Sequence, residues 1–112
     1  SAPPLYPAAY DNVIAVTAVS KSHRIYRLAN RGAHVDFAAP GVRIKHAVEH
    51  GAFAASSGTS MAAPFVAAVL AESMDARGAA RAIKSLAGQA VDLGDQGFDH
   101  VFGYGLIQPL ER

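Results

Sequence analysis

The segment AASSGTSMAAPFVAAVL, residues 54–70, constrains the fold of this chain more than any other. From residue 61 to residue 71 it carries no polar side chain. It reads as a helix of about residues 59–73, with Pro64 in the first turn or so, where a missing N–H costs least. A surface helix shows a polar stripe, whereas one that is apolar all round needs cover on every side. Three serines and a threonine (Ser56, Ser57, Thr59 and Ser60, around Gly58) lead straight into it. A helix N-terminus presents unsatisfied N–H groups and a partial positive charge. A serine there has two uses. It can cap the helix, the commoner case, worth about 1 kcal/mol. It can also act as a nucleophile, with helix-end N–H groups steadying a developing oxyanion.

The rest of the chain supplies few partners for such a helix. VIAVTAV, residues 13–19, is a β-branched run of the kind found in strands buried on both faces. Residues 33–41 hold a short strand ended by Pro40 and Gly41. Residues 20–32 are polar and basic, a surface loop with a short strand near Ile25. Residues 42–56 read as an irregular connection or a hairpin turning at Gly51, and residues 1–12 as an extended loop held by Pro3, Pro4 and Pro7. Asp75 is placed to cap a second helix of about residues 77–88. Ala79, Ile83, Leu86 and Ala90 would line its inner face, while Arg77, Arg81 and Lys84 meet water. The remainder is Gly-rich, with an extended end at 104–107. Buried strands with an apolar helix point to a layered α/β fold with a parallel sheet. The shortage of strands to cover the helix implies missing partners.

Composition removes several function classes. The chain has 112 residues, enough for one domain or part of one, and is 51% hydrophobic, which argues against disorder. Its formal net charge of +1 marks neither a nucleic-acid nor a membrane binder. Lys21, His23, Arg24, Arg27 and Arg31, with Tyr26 among them, read as a solvated loop because acids elsewhere balance them. There is no cysteine, so disulfides, thiolate zinc sites and cysteine nucleophiles fall away, although the compartment stays open. No stretch approaches the roughly 18 apolar residues of a membrane span. SAPPLYPAAY lacks the pattern of a signal peptide and reads as though cut from something longer. His46 and His50 have a metal-site spacing only on a helix, which Gly51 and the β-branched neighbours oppose, so they read as solvated loop histidines.

GTSMAAP, residues 58–64, resembles the nucleophile signature of the subtilisin-like serine proteases, the subtilases. YPAAYDNVIAVTAV resembles that family's segment just after its oxyanion-hole asparagine. VDFAAPGV resembles the strand and turn before the nucleophile loop, and FGYGLI the Gly-rich stretch after the last core helices. The order and spacing are the family's from about Leu5 to Ile107. The resemblance implies that residues 1–112 are the C-terminal portion of a catalytic domain. The implied fold is a partial three-layer α/β/α sandwich, with a mostly parallel sheet and a buried central helix starting near Ser60. Ser60 would be the nucleophile and its N–H one oxyanion donor, with Thr59 beside it in the nucleophile loop. Leu5, Ser57 and Gly58 would contact substrate, Leu5 at the base of a pocket that it shortens. Met61 would pack beside the nucleophile, open to oxidation, and Pro64 would be structural. No cofactor is required. The family's weak cation site would map here to the backbone carbonyls of Ala8, Tyr10 and Val13 with Asp36, for a sodium or calcium ion. His34 stands where the family has a second acid, and capping a turn is the alternative role for Asp36.

The chain departs from the family in what accompanies the serine. A serine nucleophile needs a general base, and that base an orienting carboxylate. The family's D-[ST]-G and H-G-T-H strings are absent, and its oxyanion asparagine would lie upstream of Ser1. None of the five histidines, at 23, 34, 46, 50 and 100, stands in the family's context. The expectation is therefore a serine endopeptidase fragment. It would hydrolyse peptide bonds through an acyl-enzyme on Ser60 in the intact parent and be inactive alone. Its expected partners are a polypeptide substrate and the upstream half of the domain, in the same chain or a second one, as in a self-processed two-chain protease. Self-association through the uncovered helix and the strand at 13–19 is expected as well; nucleic acid and a membrane span are not. The family implies a secreted or cell-envelope parent. The alternative from another class is a non-catalytic binding or scaffold module derived from a subtilase.

Overall fold

The β-branched run condenses into strand β1, Ala15–Val19, and the segment before the Pro-Gly turn into β2, Val35–Pro40. They pair in parallel, with a register shift after Ala15 and then Val16 opposite Phe37 through to Val19 opposite Pro40. Ala18, Phe37, Ala38 and Ala39 lose all solvent contact, as continuous apolar parallel strands do. The computed structural model describes residues 5–109. Pro3 and Pro4 of the expected N-terminal loop lie outside that range. Residues 5–12 are coiled into turns rather than extended, closed by Ala9 N–H to the Leu5 carbonyl and Tyr10 N–H to the Pro7 carbonyl.

The crossover from β1 to β2, residues 20–34, is irregular. The strand expected near Ile25 is a single antiparallel bridge to Val19, with Tyr26 N–H donating to the Ala18 carbonyl at 2.8 Å. After β2 the hairpin alternative is realised. Strand β3, Ile44–Ala47, runs antiparallel to β4, Phe53–Ser56, around a 3-10 turn at Glu49–Gly51.

Helix α1 spans Thr59–Ser73 and α2 spans Ala79–Gln89. Helix α1 packs across β1 and β2, and α2 packs on α1. Ala18, Phe37 and Ala39 of the sheet, Ala62 and Val66 of α1, Leu86 of α2 and Ile107 form one core cluster. The C-terminal segment docks on the edge of β2 away from β1. There Ala38 N–H donates to the Gly105 carbonyl, and Ile107 N–H to the Ala38 carbonyl, both at 2.9 Å. The expected extended end at 104–107 is thus an edge segment held by single bridges at Leu106.

The expected three-layer sandwich is seen only in part: among the described residues the parallel sheet has two strands, and α2 stacks on α1. Two expectations are corrected. Helix α1 is not a buried helix. Only Ala62 and Val66 are buried in it, because sheet and α2 reach one side. Finally, Asp75 does not cap α2. Gly78 is the N-cap, and Asp75 closes the turn before it by accepting Arg77 N–H on its carboxylate and Gly78 N–H on its carbonyl. The buried positions of α2 are accordingly Ala82 and Leu86, flanked by Ile83 and Ala87; Ala79 is exposed. Arg77, Arg81 and Lys84 do face water. No described helix is long and apolar enough to cross a membrane.

Candidate active site

The nucleophile loop is held from beneath by the Pro-Gly turn that ends β2. Gly41 N–H donates to the Val19 carbonyl at 3.0 Å, and the Gly41 carbonyl accepts Gly58 N–H at 2.7 Å. A Cβ on Gly41 would stand 2.5 Å from the Ala18 Cβ and 2.8 Å from the Gly58 carbonyl oxygen. Only glycine lets sheet, loop and α1 meet at this distance. Gly58 itself is the N-cap of α1 with φ 148°, a backbone conformation that L side chains rarely adopt, and its carbonyl accepts Met61 N–H at 3.0 Å. No side chain caps α1. The capping use of the serine run is therefore not taken up, and the N–H groups of Thr59 and Ser60, at the very head of α1, point where an anion can be met.

Ser60 is exposed in the first turn of α1, with Thr59 half-buried beside it. A cleft of about 280 Å³ opens next to them, lined among others by Leu5, Tyr26, His34, Gly58, Thr59 and Ser60. The structure thus brings Leu5, Gly58, Thr59 and Ser60 to one cavity. Ser57 is not on it: its hydroxyl accepts Arg43 N–H at 2.8 Å and ties the loop to β3. A larger concavity of about 380 Å³ lies by the α1–α2 turn around Asp75, Arg77 and Lys84, with no base paired to a nucleophile.

No histidine hydrogen-bonds Ser60 among the described residues. His23 and His50 sit exposed in left-handed backbone conformations. His100 stacks its ring edge-on to Phe98. His46 Nε2 lies 2.7 Å from Ser56 Oγ. His34 reaches the Ser60 cleft, and its Nδ1 is buried without a partner. Sequence reasoning missed His34 on the cleft, Gly41 beneath the loop and the Ser56–His46 contact. Of these, only Gly41 carried a local signal, as the glycine of a strand-ending Pro-Gly pair.

The cation donors are thin. Asp36 Oδ2 accepts Ala15 N–H at 2.8 Å, and the Tyr10 carbonyl accepts Val13 N–H at 3.1 Å. Burial pushes the Asp36 carboxyl up from its ordinary value, against the Ala15 amide and the nearby His34, which favour the charged form. The Asp36 and Tyr10 oxygens are thus each already engaged by a backbone amide. No group of three or more His, Cys, Asp or Glu among the described residues could hold a metal.

The same order of elements recurs in known proteins. The Peptidase S8 (subtilase family) model matches residues 1–105. The chain is 38% identical over 106 residues to the minor extracellular protease Epr of Bacillus subtilis (strain 168), covering 92% of this chain and 16% of that protein. It is 34% identical over 105 residues to subtilisin DY of Bacillus licheniformis, covering 91% of this chain and 37% of that one. The solved structure of a lanthipeptide protease superposes with a TM-score of 0.78 at 26% identity, over 91% of this chain and 40% of that one. The chain thus spans well under half the length of each of these relatives. With GTSMAAP seated at the head of α1 and the family's segments in the family's order around it, the chain belongs to the subtilase family of serine proteases.

Proposed function

We propose that this chain is the nucleophile-bearing, C-terminal portion of a serine endopeptidase domain, completed by an upstream portion that brings the catalytic His and Asp. The observation that carries the reading is Ser60 exposed at the uncapped N-terminus of α1, on a cleft shared with Leu5. Family membership supports it, and so does the absence of the family's Asp and His strings. In the completed site the Ser60 hydroxyl attacks the scissile carbonyl carbon while its proton passes to the imported His, which the Asp orients. The Ser60 N–H, with an upstream asparagine, steadies the oxyanion. The His then protonates the leaving amine, and water hydrolyses the acyl-Ser60 ester. Leu5 shortens the pocket for the residue before the scissile bond and favours small side chains there. A weakly held sodium or calcium ion at Ala8, Tyr10, Val13 and Asp36 is compatible with this reading and takes no part in the chemistry. Polypeptides are the substrates, and the parent is secreted, a reading supported by the Bacillus subtilis relative being named an extracellular protease.

The test is a fluorophosphonate probe with peptide mapping. The chain alone should leave Ser60 unlabelled. Adding the parent's upstream segment as a second folded chain should label Ser60 and restore peptidase activity, and Ser60→Ala should abolish both. Ser60 remaining inert in a formed two-chain complex would overturn the reading. It would favour the binding-module alternative, whose one supporting observation is that no histidine here pairs with Ser60.

A further inference from the structure

We propose that Ser56 and His46 form a second, self-contained nucleophile–base pair, which takes acyl or phosphonyl groups from small activated electrophiles such as aryl esters. The hairpin register brings them together. Ile44 stands opposite Ser56 and His46 opposite Ala54, so the two side chains are diagonal neighbours on one face of the hairpin. His46 Nε2 and Ser56 Oγ are 2.7 Å apart and half-buried, open to a small molecule.

The direction of that hydrogen bond follows from the other ring nitrogen. His46 Nδ1 lies 3.3 Å from the Ala47 carbonyl oxygen, which can only accept. Nδ1 therefore carries the proton of the neutral ring, Nε2 keeps the lone pair, and the Ser56 hydroxyl donates. This is the arrangement a general base needs: a lone pair facing the hydroxyl, and a partner behind the ring that fixes the tautomer. Two contacts hold the hairpin around it. Ser57 Oγ accepts Arg43 N–H, and the Lys45 ammonium sits 5.0 Å from the centre of the Phe53 ring. Ser60 lacks such a partner, whereas the serine four positions earlier has a histidine on its hydroxyl.

With an aryl acetate, Ser56 Oγ bonds to the carbonyl carbon and its proton moves to His46 Nε2. The tetrahedral intermediate collapses, the aryl C–O bond breaks, and the phenolate leaves with the electron pair. The Nε2 proton passes to the phenolate or to solvent, which frees the Nε2 lone pair. Water then gives a proton to Nε2 as its oxygen bonds to the acetyl carbon, the Ser56 Oγ–acyl bond breaks, Oγ takes the Nε2 proton, and acetate leaves. Nothing beyond water and the ester is consumed.

The experiment uses the chain as it stands, in a Ser60→Ala background that removes the other nucleophile. It combines p-nitrophenyl acetate turnover with fluorophosphonate labelling and peptide mapping. The label is expected on Ser56, and Ser56→Ala should abolish it. His46→Ala should slow labelling about 10²-fold or more, with partial recovery on adding imidazole. His46→Gln keeps hydrogen bonding but no basic nitrogen, and should be as slow as alanine. Circular dichroism checks that each variant is folded. Label scattered over other serines, no label on Ser56, or a His46→Gln variant as reactive as the parent would overturn the proposal. Because Ser60 is absent throughout, none of these outcomes touches the endopeptidase reading, and an inert Ser60 in the two-chain complex leaves this one intact.

Discussion

Helices α1 and α2 pack against each other and yet are written in opposite patterns. In α2 the buried Ala82 and Leu86, with Ile83 and Ala87, make one apolar face, while Arg81, Lys84 and Ser85 meet solvent. It is a finished surface helix. Helix α1 buries only Ala62 and Val66, and leaves Ala63, Phe65, Ala67, Ala68 and Ala71 in water. Its apolar outer face has the composition of a core, with no layer laid on it. The contrast separates what this chain completes, the α2 side and the C-terminal edge of β2, from the face of α1 that the described residues leave uncovered. The candidate nucleophile stands at the head of the unfinished helix.

The largest expected effect is at the joint between the two helices. Leu86, 1% exposed, shares the core cluster with Ala62 and Val66. Leu86→Ala should cost about 4 kcal/mol, from lost burial plus the cavity left behind. Denaturant unfolding measures it; a loss of under about 1 kcal/mol would mean that α2 is not what holds α1. Next is Gly41→Ala, at the crowded end of α1. The new methyl meets the Ala18 Cβ, the Gly58 carbonyl and, at 3.1 Å, the Ala62 Cβ. The expected loss is about 3 kcal/mol, because backbone must move to admit it. Gly88→Ala makes the opposite control on α2. Nothing stands within 4 Å of the new methyl. It should stabilise by about 0.5–1 kcal/mol through helix propensity alone.

Phe65, 43% exposed, tests the outer face of α1 itself. Phe65→Ser should change stability by less than about 0.5 kcal/mol. Light scattering should nevertheless show a self-associating parent shift toward the 11.6 kDa monomer. A parent already monomeric would break the reading of α1 as an uncovered core.

The legible parts of this molecule are those decided by local pattern. The β-branched run marked β1, Pro40 and Gly41 marked the end of β2, and the small polar residues before an apolar run marked the start of α1 within a residue. What depended on tertiary contact was less visible. The inner face of α2 rotated from Ala79 and Ala90 to Ala82 and Ala87, because the docking of the helix on α1 sets its orientation and Asp75 serves the turn instead of the cap. The width of the sheet was expected from family likeness, whereas it depends on how many strands are present to pair. At the candidate site GTSMAAP pointed to Ser60 directly. His46 was weighed only against His50, because its contact with Ser56 exists solely through the register of β3 on β4.

The smallest effect lies in two carboxylates that differ as the two helices do, one in a finished exposed turn and one under partial cover. Asp75, between α1 and α2, is held below its ordinary value of 3.8 by hydrogen bonds from the Arg77 side chain and amide. A carboxyl lowered in the folded state adds stability above its unfolded value and loses it as pH falls through the folded one. The pair is fully exposed and screened by solvent and salt, so its titration should leave the Tm unchanged. Carbon-detected NMR should place Asp75 below 3.8, and Arg77→Ala should return it toward that value. Asp36 runs the other way. Burial raises its carboxyl, so its ionisation opposes folding, and that cost is relieved as pH falls through its folded value. Acidification from neutrality should thus stabilise the chain slightly through Asp36 before other carboxylates protonate, and Asp36→Asn should flatten that rise. A rise that survives Asp36→Asn would place the buried charge elsewhere. A fall in Tm that vanishes with Arg77→Ala would show the exposed turn outweighing the half-covered site.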